Sequence, residues 1–273
     1  MKRMFLILTI YLAGLIPAHA QERCQYKGSD IDNDPVNGIM LLRATGQPVN
    51  GVVCDYYESG KLERETTYKD GRKDGIAMSY HENGKLELKA PFKNGKMEGI
   101  SLSYYENGIL SCETPYEDDR KEGIQKWYYE DGRLKSEALY RYGKMEGIFR
   151  TYSENGELSW ETPYKNGKME GMEKWYYGEN KNLIEEIPFK NDLRHGTGRV
   201  YYNSGKVKME IPYRNGRMEG YAQMYTETGE LSGKILYNND MPVGGACENG
   251  RQFTNAELMS RPGGYEALCK SQK

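Results

Sequence analysis

Histidines, blocks of basic residues and long apolar runs are all scarce in this sequence of 273 residues. Of its three histidines, only His81 and His195 lie beyond the N-terminal segment, so a hydrolytic triad, a zinc site or a histidine base would depend on those two. Lysine and arginine number 38 against 40 acidic residues, without a basic block that would attract nucleic acid or anionic lipid. We expect no enzyme activity, no cofactor or metal, no nucleic-acid partner and no membrane binding.

The N-terminus holds the one long apolar stretch. After a basic start, residues 4–16 are apolar and Ala18-His19-Ala20 has the small-residue form of a cleavage site. The stretch is shorter than the roughly 20 residues of a membrane span. It predicts a secretory signal peptide at residues 1–20 and a mature chain in a periplasmic or extracellular space. Loss of the two basic residues of this segment would change the net charge from −2 to −4.

Glycine, in contrast, is abundant and periodic. The block Asn94-Gly95-Lys96-Met97-Glu98-Gly99 recurs along the chain, and its last glycine, here called the anchor, returns every 24 residues with one interval of 25. The anchors are Gly51, Gly75, Gly99, Gly123, Gly147, Gly171, Gly196, Gly220 and Gly244. A fixed period of this length is typical of a repeat array whose units stack to share a core.

Apolar and aromatic residues keep fixed distances from each anchor. The repeat that begins at Gly123 shows the pattern: Ile124 at position one, Tyr128 at five, Leu134 at eleven and Tyr140 at seventeen. The even spacing within each arm is the period of a strand. Two half-buried strands per repeat are therefore predicted, with positions one and five on the packed side.

Glycine turns join these strands. Asn107-Gly108 and its counterparts between the arms favour hairpin turns, and Asn94-Gly95 reverses the chain into the next repeat. A proline near the end of the second arm, such as Pro163, is expected at a strand end or edge. The predicted fold is all-β: an elongated array of stacked antiparallel β-hairpins forming one long meander sheet, with a short helical and disulfide-bonded C-terminal cap.

The domain boundaries follow from the period. Residues 21–42 form an N-terminal lead-in or cap, residues 43–250 form the array, and residues 251–273 form the C-terminal cap. Within the last segment, 254–260 and 265–270 are predicted as short helices.

Five cysteines in an exported chain raise the question of disulfides. Cys24 and Cys54 flank the first repeat, Cys247 and Cys269 flank the last, and Cys112 stands alone. The economical pairing joins Cys24 to Cys54 and Cys247 to Cys269, although spacing alone leaves other connectivities and the role of Cys112 open.

The pattern Tyr/Phe-x-Asn-Gly-Lys-Met-Glu-Gly followed by Tyr-Tyr-Glu-Asn-Gly-x-Leu is complete at residues 92–110 and partly repeated at 164–177. It resembles the variant MORN repeat, found in bacterial proteins labelled YwqK-family antitoxins, and the resemblance covers about residues 43–250. It implies stacked β-hairpins, a protein-binding role and an antitoxin or immunity function, with a toxin as partner.

Two sets of side chains are candidates for function. Glutamates recur before the anchor and late in the second arm, and because they recur in unit after unit we interpret them as a structural ladder. Aromatic residues at positions four and six should form a stripe on the face opposite the packed side. The candidate partner-binding residues are Tyr105, Trp127, Tyr129, Trp175, Tyr177 and Tyr202.

The aromatic stripe allows three interpretations. It binds a protein partner, it binds carbohydrate or cell wall, or its rings stack across strands to stabilise a sheet with little core. Trp127 and Trp175, two repeats apart, should lie on one line in each case. Our leading hypothesis is a non-enzymatic exported scaffold that binds a protein through its sheet face. A deep pocket with two carboxylates outside the repeat pattern would instead indicate an enzyme.

Overall fold

The computed structural model describes residues 23–178, 182–260 and Cys269. The chain divides into two compact units, Met1–Arg120 and Lys121–Lys273. The predicted signal peptide at 1–20 and nearly all of the predicted helix at 265–270 lie outside the described residues. No helix in the described part of the chain is long and apolar enough to cross a membrane.

The first unit is a meander of antiparallel hairpins preceded by a short lead-in. The lead-in strand β1 pairs in parallel with β4, and β2 pairs with β3 after a 3-10 turn at Gly28–Asp30. The strands are β1 Tyr26–Lys27, β2 Ile31–Asn33, β3 Met40–Leu42, β4 Gly51–Tyr56, β5 Leu62–Lys69, β6 Arg72–Tyr80, β7 Leu86–Lys93, β8 Lys96–Met97, β9 Gly99–Tyr104, β10 Leu110–Glu117 and β11 Arg120–Lys121.

The second unit continues the same repeat and ends in a helix. Each long strand pairs antiparallel with the next long strand, and the two-residue strands β16, β19 and β22 pair with the strand before them. The elements are β12 Gly123–Tyr128, β13 Leu134–Arg141, β14 Lys144–Tyr152, β15 Leu158–Lys165, β16 Lys168–Met169, β17 Gly171–Tyr177, β18 Asn182–Lys190, β19 Leu193–Arg194, β20 Gly196–Tyr201, β21 Val207–Arg214, β22 Arg217–Met218, β23 Gly220–Tyr225, β24 Leu231–Asn238, β25 Met241–Cys247, β26 Gln252–Thr254 and α1 Asn255–Ser260.

The predicted all-β meander of 24-residue hairpin repeats is confirmed. The irregular 25-residue interval falls between β17 and β18 and leaves the strand pattern intact. At the turn between β7 and β8, Asn94 and Gly95 have φ values of 51° and 86°, and Lys93 pairs with Lys96. These left-handed dihedrals make the tight two-residue turn that Asn-Gly favours.

The closing aromatic of each repeat determines which face of the sheet is buried. Tyr140 pairs with the anchor Gly123 on one side and with Met145 on the other, and only 8% of its surface is exposed. Because side chains alternate along a strand, positions two and four lie on the same face as the anchor. In this repeat they are Gln125 and Trp127. We call this side the buried face.

The prediction for positions one and five was therefore wrong, since both lie on the opposite face. Position one is the more exposed of the two, at 57% for Ile100, 52% for Ile124 and 41% for Ile148. The closing aromatic rings lie on the buried face, so the core on that face is built from smaller apolar residues. Buried members of that face include Val53, Ala90, Ala138, Ile187, Ala222, Met224 and Ile235.

The prolines also lie elsewhere than predicted. Pro163 is inside β15, pairs with Ile148, and accepts a hydrogen bond on its carbonyl from the backbone N–H of Glu170 at 3.0 Å. The nitrogen and carbonyl of one antiparallel residue point to the same neighbour. The proline nitrogen thus faces the break between β16 and β17, where no ladder bond is lost.

Both ends of the described chain are cross-linked. The structure contains both predicted disulfides, Cys24–Cys54 and Cys247–Cys269. At the C-terminal end, Met224, Ile235, Cys247 and Phe253 form a buried cluster against which Leu258 of α1 packs. Two disulfides are consistent with an oxidising compartment.

Candidate protein-binding face

Four large aromatic side chains adjoin one another on the buried face of the second unit. They are Trp127 on β12, Phe149 on β14, Trp160 on β15 and Trp175 on β17. Ring centroids are 6.3 Å apart between Trp127 and Phe149, 6.3 Å between Phe149 and Trp160, and 4.7 Å between Trp160 and Trp175. The first two contacts are edge-to-face and the third is tilted by 39°. We call this set the aromatic row.

Strand register aligns the row. Trp127 pairs with Ser136, Ser136 with Thr151, Thr151 with Trp160, and Trp160 with Trp175. The predicted alignment of Trp127 and Trp175 on one line of one face is thus present in the structure. All three indoles are half-buried, as expected when neighbouring rings cover each other.

The four tyrosines of the predicted site do not join this row of rings. Tyr129 and Tyr202 donate their hydroxyls to the carbonyls of Tyr152 and Tyr225 in the next repeat, each at 2.7 Å. Tyr177, the last residue of β17, is 74% exposed. Tyr105, in the first unit, is half-buried at the hairpin turn that follows β9.

Sequence reasoning missed Phe149 and Trp160. Phe149 occupies position two of its repeat, and Trp160 lies in a second arm, opposite Thr151. Counting alternation outward from the closing aromatics, instead of from position one, would have placed both beside Trp127 and Trp175. The sequence pattern therefore contained enough information to find both residues, provided that the face occupied by the closing aromatic rings was known.

Two carboxylates adjoin the row at its Trp175 end. Glu173 accepts hydrogen bonds from the Trp175 indole N–H at 3.0 Å and from the Thr162 hydroxyl at 2.9 Å. Glu185 is the cross-strand partner of Trp175. Burial raises the pKa of Glu185, the Arg194 charge lowers it, and the Glu173 charge raises it further. Two carboxylates on one sheet face therefore interact near a pair of tryptophans.

The opposite face is occupied by a polar network that links successive repeats. Tyrosines at position five donate their hydroxyls to second-arm glutamates of the preceding repeat, 15 residues earlier. These pairs are Tyr80–Glu65, Tyr152–Glu137, Tyr176–Glu161, Tyr201–Glu186 and Tyr225–Glu210, at 2.7 to 3.1 Å. Burial and the neighbouring glutamates raise the pKa of Tyr176 and of Tyr201 to about 12.

Arginines complete this network between neighbouring strands. Arg150 lies 3.0 Å from Glu161 and 3.7 Å from Glu137, and Arg199 lies 3.0 Å from Glu186 and 2.9 Å from Glu210. Along one line of this face, cross-strand neighbours alternate between basic and acidic residues. The sequence of partners is Lys126, Glu137, Arg150, Glu161, Lys174, Glu186, Arg199 and Glu210.

The glutamates before the anchors have a second structural role. Glu98, Glu146 and Glu170 each accept a hydrogen bond from the backbone N–H that opens the next two-residue turn between repeats, 20 or 21 residues later. At Asn166 the distance is 2.8 Å and φ is 53°. These carboxylates stabilise a left-handed turn residue, which agrees with the structural interpretation of both glutamate series.

His81, His195 and Cys112 lie in different repeats. A ring nitrogen of His81 lies 3.1 Å from the carbonyl oxygen of Tyr104, and His195 is exposed. The Cys112 sulfur lies 3.4 Å from the Thr114 hydroxyl. Among the described residues, no three His, Cys, Asp or Glu side chains are grouped to hold a metal ion.

The family comparison matches the repeats directly. A sequence model of the MORN repeat variant matches residues 49–70, 73–94, 97–118, 121–142, 145–166, 194–215 and 218–239. These seven segments cover more than half of the chain. No curated protein sequence matches it significantly.

Two solved structures resemble the chain with low TM-scores. A crystal structure of TcdB2-TccC3-Cdc42 matches with 15% identity over 74% of this chain and 13% of that chain, with a TM-score of 0.20. A crystal structure of TcdB2-TccC3-TEV matches with 10% identity over 81% of this chain and 14% of that chain, also at 0.20. This chain therefore spans about one seventh of those chains, and the scores carry no argument about function.

Proposed function

Because this chain belongs to the MORN repeat variant family, we propose that it is a non-enzymatic, exported scaffold that binds a protein partner through the half-buried aromatic row of its second unit. The observation that carries the proposal is the aromatic row of three tryptophans and a phenylalanine. Tryptophan is enriched among residues that dominate protein interfaces, because a large amphipathic ring loses little conformational entropy on binding.

The role follows from the shape of such a surface. A sheet face presents side chains at fixed spacing on a hydrogen-bonded frame, so a partner meets a preorganised surface. Covering a partner's active site or interface would block it without any reaction by this chain. An antitoxin or immunity protein acts by such occlusion, and that role is our specific proposal.

Other features support a non-enzymatic role in an oxidising compartment. Both glutamate series are engaged in contacts between repeats, and the His81 ring lies against a backbone carbonyl. The two carboxylates outside the repeat pattern, Glu173 and Glu185, lie on a sheet face beside the indoles. The predicted N-terminal signal peptide and the two disulfides support export to a periplasmic or extracellular space.

Carbohydrate binding is the alternative, favoured by the same indoles, since tryptophan faces also stack on sugars. Trp160 and Trp175 lie against each other at 4.7 Å, so each presents only part of its surface to a flat ligand. This contact favours protein side chains that insert beside the rings over a sugar ring stacked on one of them.

The test compares two double variants of the mature protein. Trp127→Ala/Trp175→Ala alters the aromatic row, and Ile124→Ala/Ile148→Ala removes exposed apolar groups from the opposite face. Each is used to capture envelope proteins from the source cells and to sediment with peptidoglycan and polysaccharide, with circular dichroism to verify folding.

The proposal predicts a specific captured protein that is lost only with the tryptophan variant while that variant stays folded. Equal capture by both variants would place the binding surface elsewhere. Sedimentation with polysaccharide that depends on the tryptophans, without protein capture, would support the carbohydrate alternative.

A further inference from the structure

The aromatic row carries negative charge at one end. Glu173 and Glu185 stand at positions where the other repeats of the second unit have uncharged residues. The residues matching Glu173 are Gln125, Phe149, Gly198 and Ala222, and those matching Glu185 are Ser136, Trp160, Met209 and Gly233. The departure from the repeat is therefore confined to the neighbourhood of Trp175.

Neither carboxylate is neutralised by a contacting cation within the described residues. Both oxygens of Glu173 accept from neutral donors, Trp175 and Thr162. The carboxylate of Glu185 makes no hydrogen bond or ion pair with a described residue. Arg194 acts on Glu185 only through its field, and its guanidinium lies over the Tyr213 ring at 5.4 Å.

The other end of the row differs in charge. Near Trp127, the Lys121 ammonium lies 2.9 Å from the Gln125 side-chain oxygen and 4.8 Å from the centre of the Tyr140 ring. A cation thus belongs to the protein itself at this end. At the Trp175 end, Arg194 lies over the Tyr213 ring, and no described cation is in hydrogen-bond or ion-pair contact with either carboxylate.

Carboxylates beside tryptophan faces are suited to one class of side chain. Arginine and lysine are attracted to the face of an indole ring. Arginine can stack on the ring and pair with a carboxylate at the same time. A carboxylate partly withdrawn from water gains most from such a pair, since the cost of its desolvation is already met in the free protein.

We propose that the segment of the partner protein that occupies the aromatic row presents arginine or lysine, placed against Trp175 and Trp160 and paired with Glu173 and Glu185. This inference rests on the proposed function and specifies the chemistry of its partner. A second copy of the same face is disfavoured, because it would bring its own carboxylates to this surface. A neutral glycan would leave both charges unpaired.

The tryptophans supply a direct probe. The chain has three, and all of them belong to the aromatic row, so indole N–H resonances report on this surface alone. The mature protein is titrated with the peptide Arg-Gly-Arg-Gly-Arg and with the same peptide carrying citrulline, the neutral counterpart of arginine. Single Trp→Phe variants assign the three signals.

The charge variant is Glu173→Gln/Glu185→Gln. Its matched control is Glu227→Gln/Glu230→Gln, which changes the net charge equally at exposed positions of the turn between β23 and β24. We expect the arginine peptide to shift the Trp175 and Trp160 signals saturably, the citrulline peptide to bind about tenfold more weakly, and only the Glu173/Glu185 variant to lose the response.

Equal binding of both peptides, equal loss in both double variants, or no response to arginine would overturn the inference. Response to a neutral oligosaccharide without response to arginine would also overturn it, in favour of a glycan. The proposed function can fail independently of this inference. If a protein is captured through the tryptophans and the Glu173/Glu185 variant still binds it, the proposed function stands and only the cationic chemistry of the partner is refuted.

Discussion

Trp160 contacts rings on both sides and therefore holds the aromatic row together. Phe149 meets it edge-to-face at 6.3 Å and Trp175 packs against it at 4.7 Å. Its replacement by alanine removes two aromatic contacts and part of the half-buried surface of the sheet.

We expect Trp160→Ala to lower the free energy of unfolding by about 2 kcal/mol, below the range for a fully buried tryptophan. Thermal and denaturant midpoints measure the change. Tyr177→Ala is the control, because that side chain is 74% exposed and its loss should cost less than about 0.5 kcal/mol. Similar losses for both variants would contradict the stacking of the row.

The anchor Gly171 is constrained by conformation and by a neighbour. Its φ is 121°, a region that side chains disfavour, and an added Cβ would lie 2.9 Å from Cγ of Pro163. Both effects act on a Gly171→Ala variant, which we expect to lose about 1–3 kcal/mol.

Two further variants separate these effects. Gly156 has a φ of 86° and no heavy atom within 4 Å of an added Cβ, so Gly156→Ala retains the strain without the clash and should cost less. Adding Pro163→Ala to Gly171→Ala removes the clash and should restore part of the stability. Thermal midpoints that fall equally for Gly171→Ala and Gly156→Ala would show that the proline does not matter.

At the scale of the hairpin, the tyrosine–glutamate pairs make successive repeats depend on one another. The hydroxyl of Tyr201 donates to Glu186 at 2.7 Å, and its pKa rises to about 12 from an ordinary value of 10.0. Between these values, the unfolded chain loses the phenolic proton before the folded chain does. The stability that this pair contributes is complete below pH 10 and is lost as pH rises toward 12.

We therefore expect the phenolate absorbance of the folded protein to show tyrosines that titrate near pH 12, and the thermal midpoint to fall between pH 10 and 12. Tyr201→Phe should cost about 1 kcal/mol at neutral pH and should weaken that alkaline dependence. Titration of every tyrosine near its ordinary value would contradict the inter-repeat hydrogen bonds.

The hairpins were predictable from the sequence because period, turn residues and strand alternation are local. Alternation correctly groups Trp127 with Trp175, but it cannot state which face is covered. That choice depends on the burial of the Tyr140 ring, whose backbone pairs across strands with Gly123, 17 residues earlier. The exposure of Ile124 was mispredicted for this reason.

Contacts between repeats also escaped sequence reasoning. The Tyr129 hydroxyl donates to the carbonyl of Tyr152, 23 residues later, so an aromatic residue predicted to bind a partner is engaged within the array. Pro163 was mispredicted because its missing donor faces a ladder break that only register shows. A motif records which residues recur, whereas their partners depend on how neighbouring units align.

At the scale of the whole molecule, the repeats are cross-linked at both ends of the described chain. Cys24–Cys54 closes 30 residues and Cys247–Cys269 closes 22. The second disulfide holds the C-terminal segment near a buried cluster of Met224, Ile235 and Phe253. A repeat array needs such ends, because its terminal units lack a neighbour on one side.

Reduction should therefore lower the thermal midpoint, with each disulfide contributing about 3 kcal/mol by restricting the unfolded chain. Cys247→Ser/Cys269→Ser is expected to reproduce half of the effect or more, because the cluster that it supports would loosen. Cys112→Ser is the control and should leave the response to reductant unchanged. A midpoint that does not respond to reductant would contradict this role for the disulfides.

Site-specific photo-cross-linking in the source cells tests the central claim most directly. A benzophenone side chain replaces exposed Tyr177, on the strand that carries Trp175, or exposed Ile124 on the opposite face. The account predicts a discrete cross-linked protein from position 177 that is absent from position 124. Cross-links from position 124 alone, or from neither position, would contradict a partner-binding aromatic face.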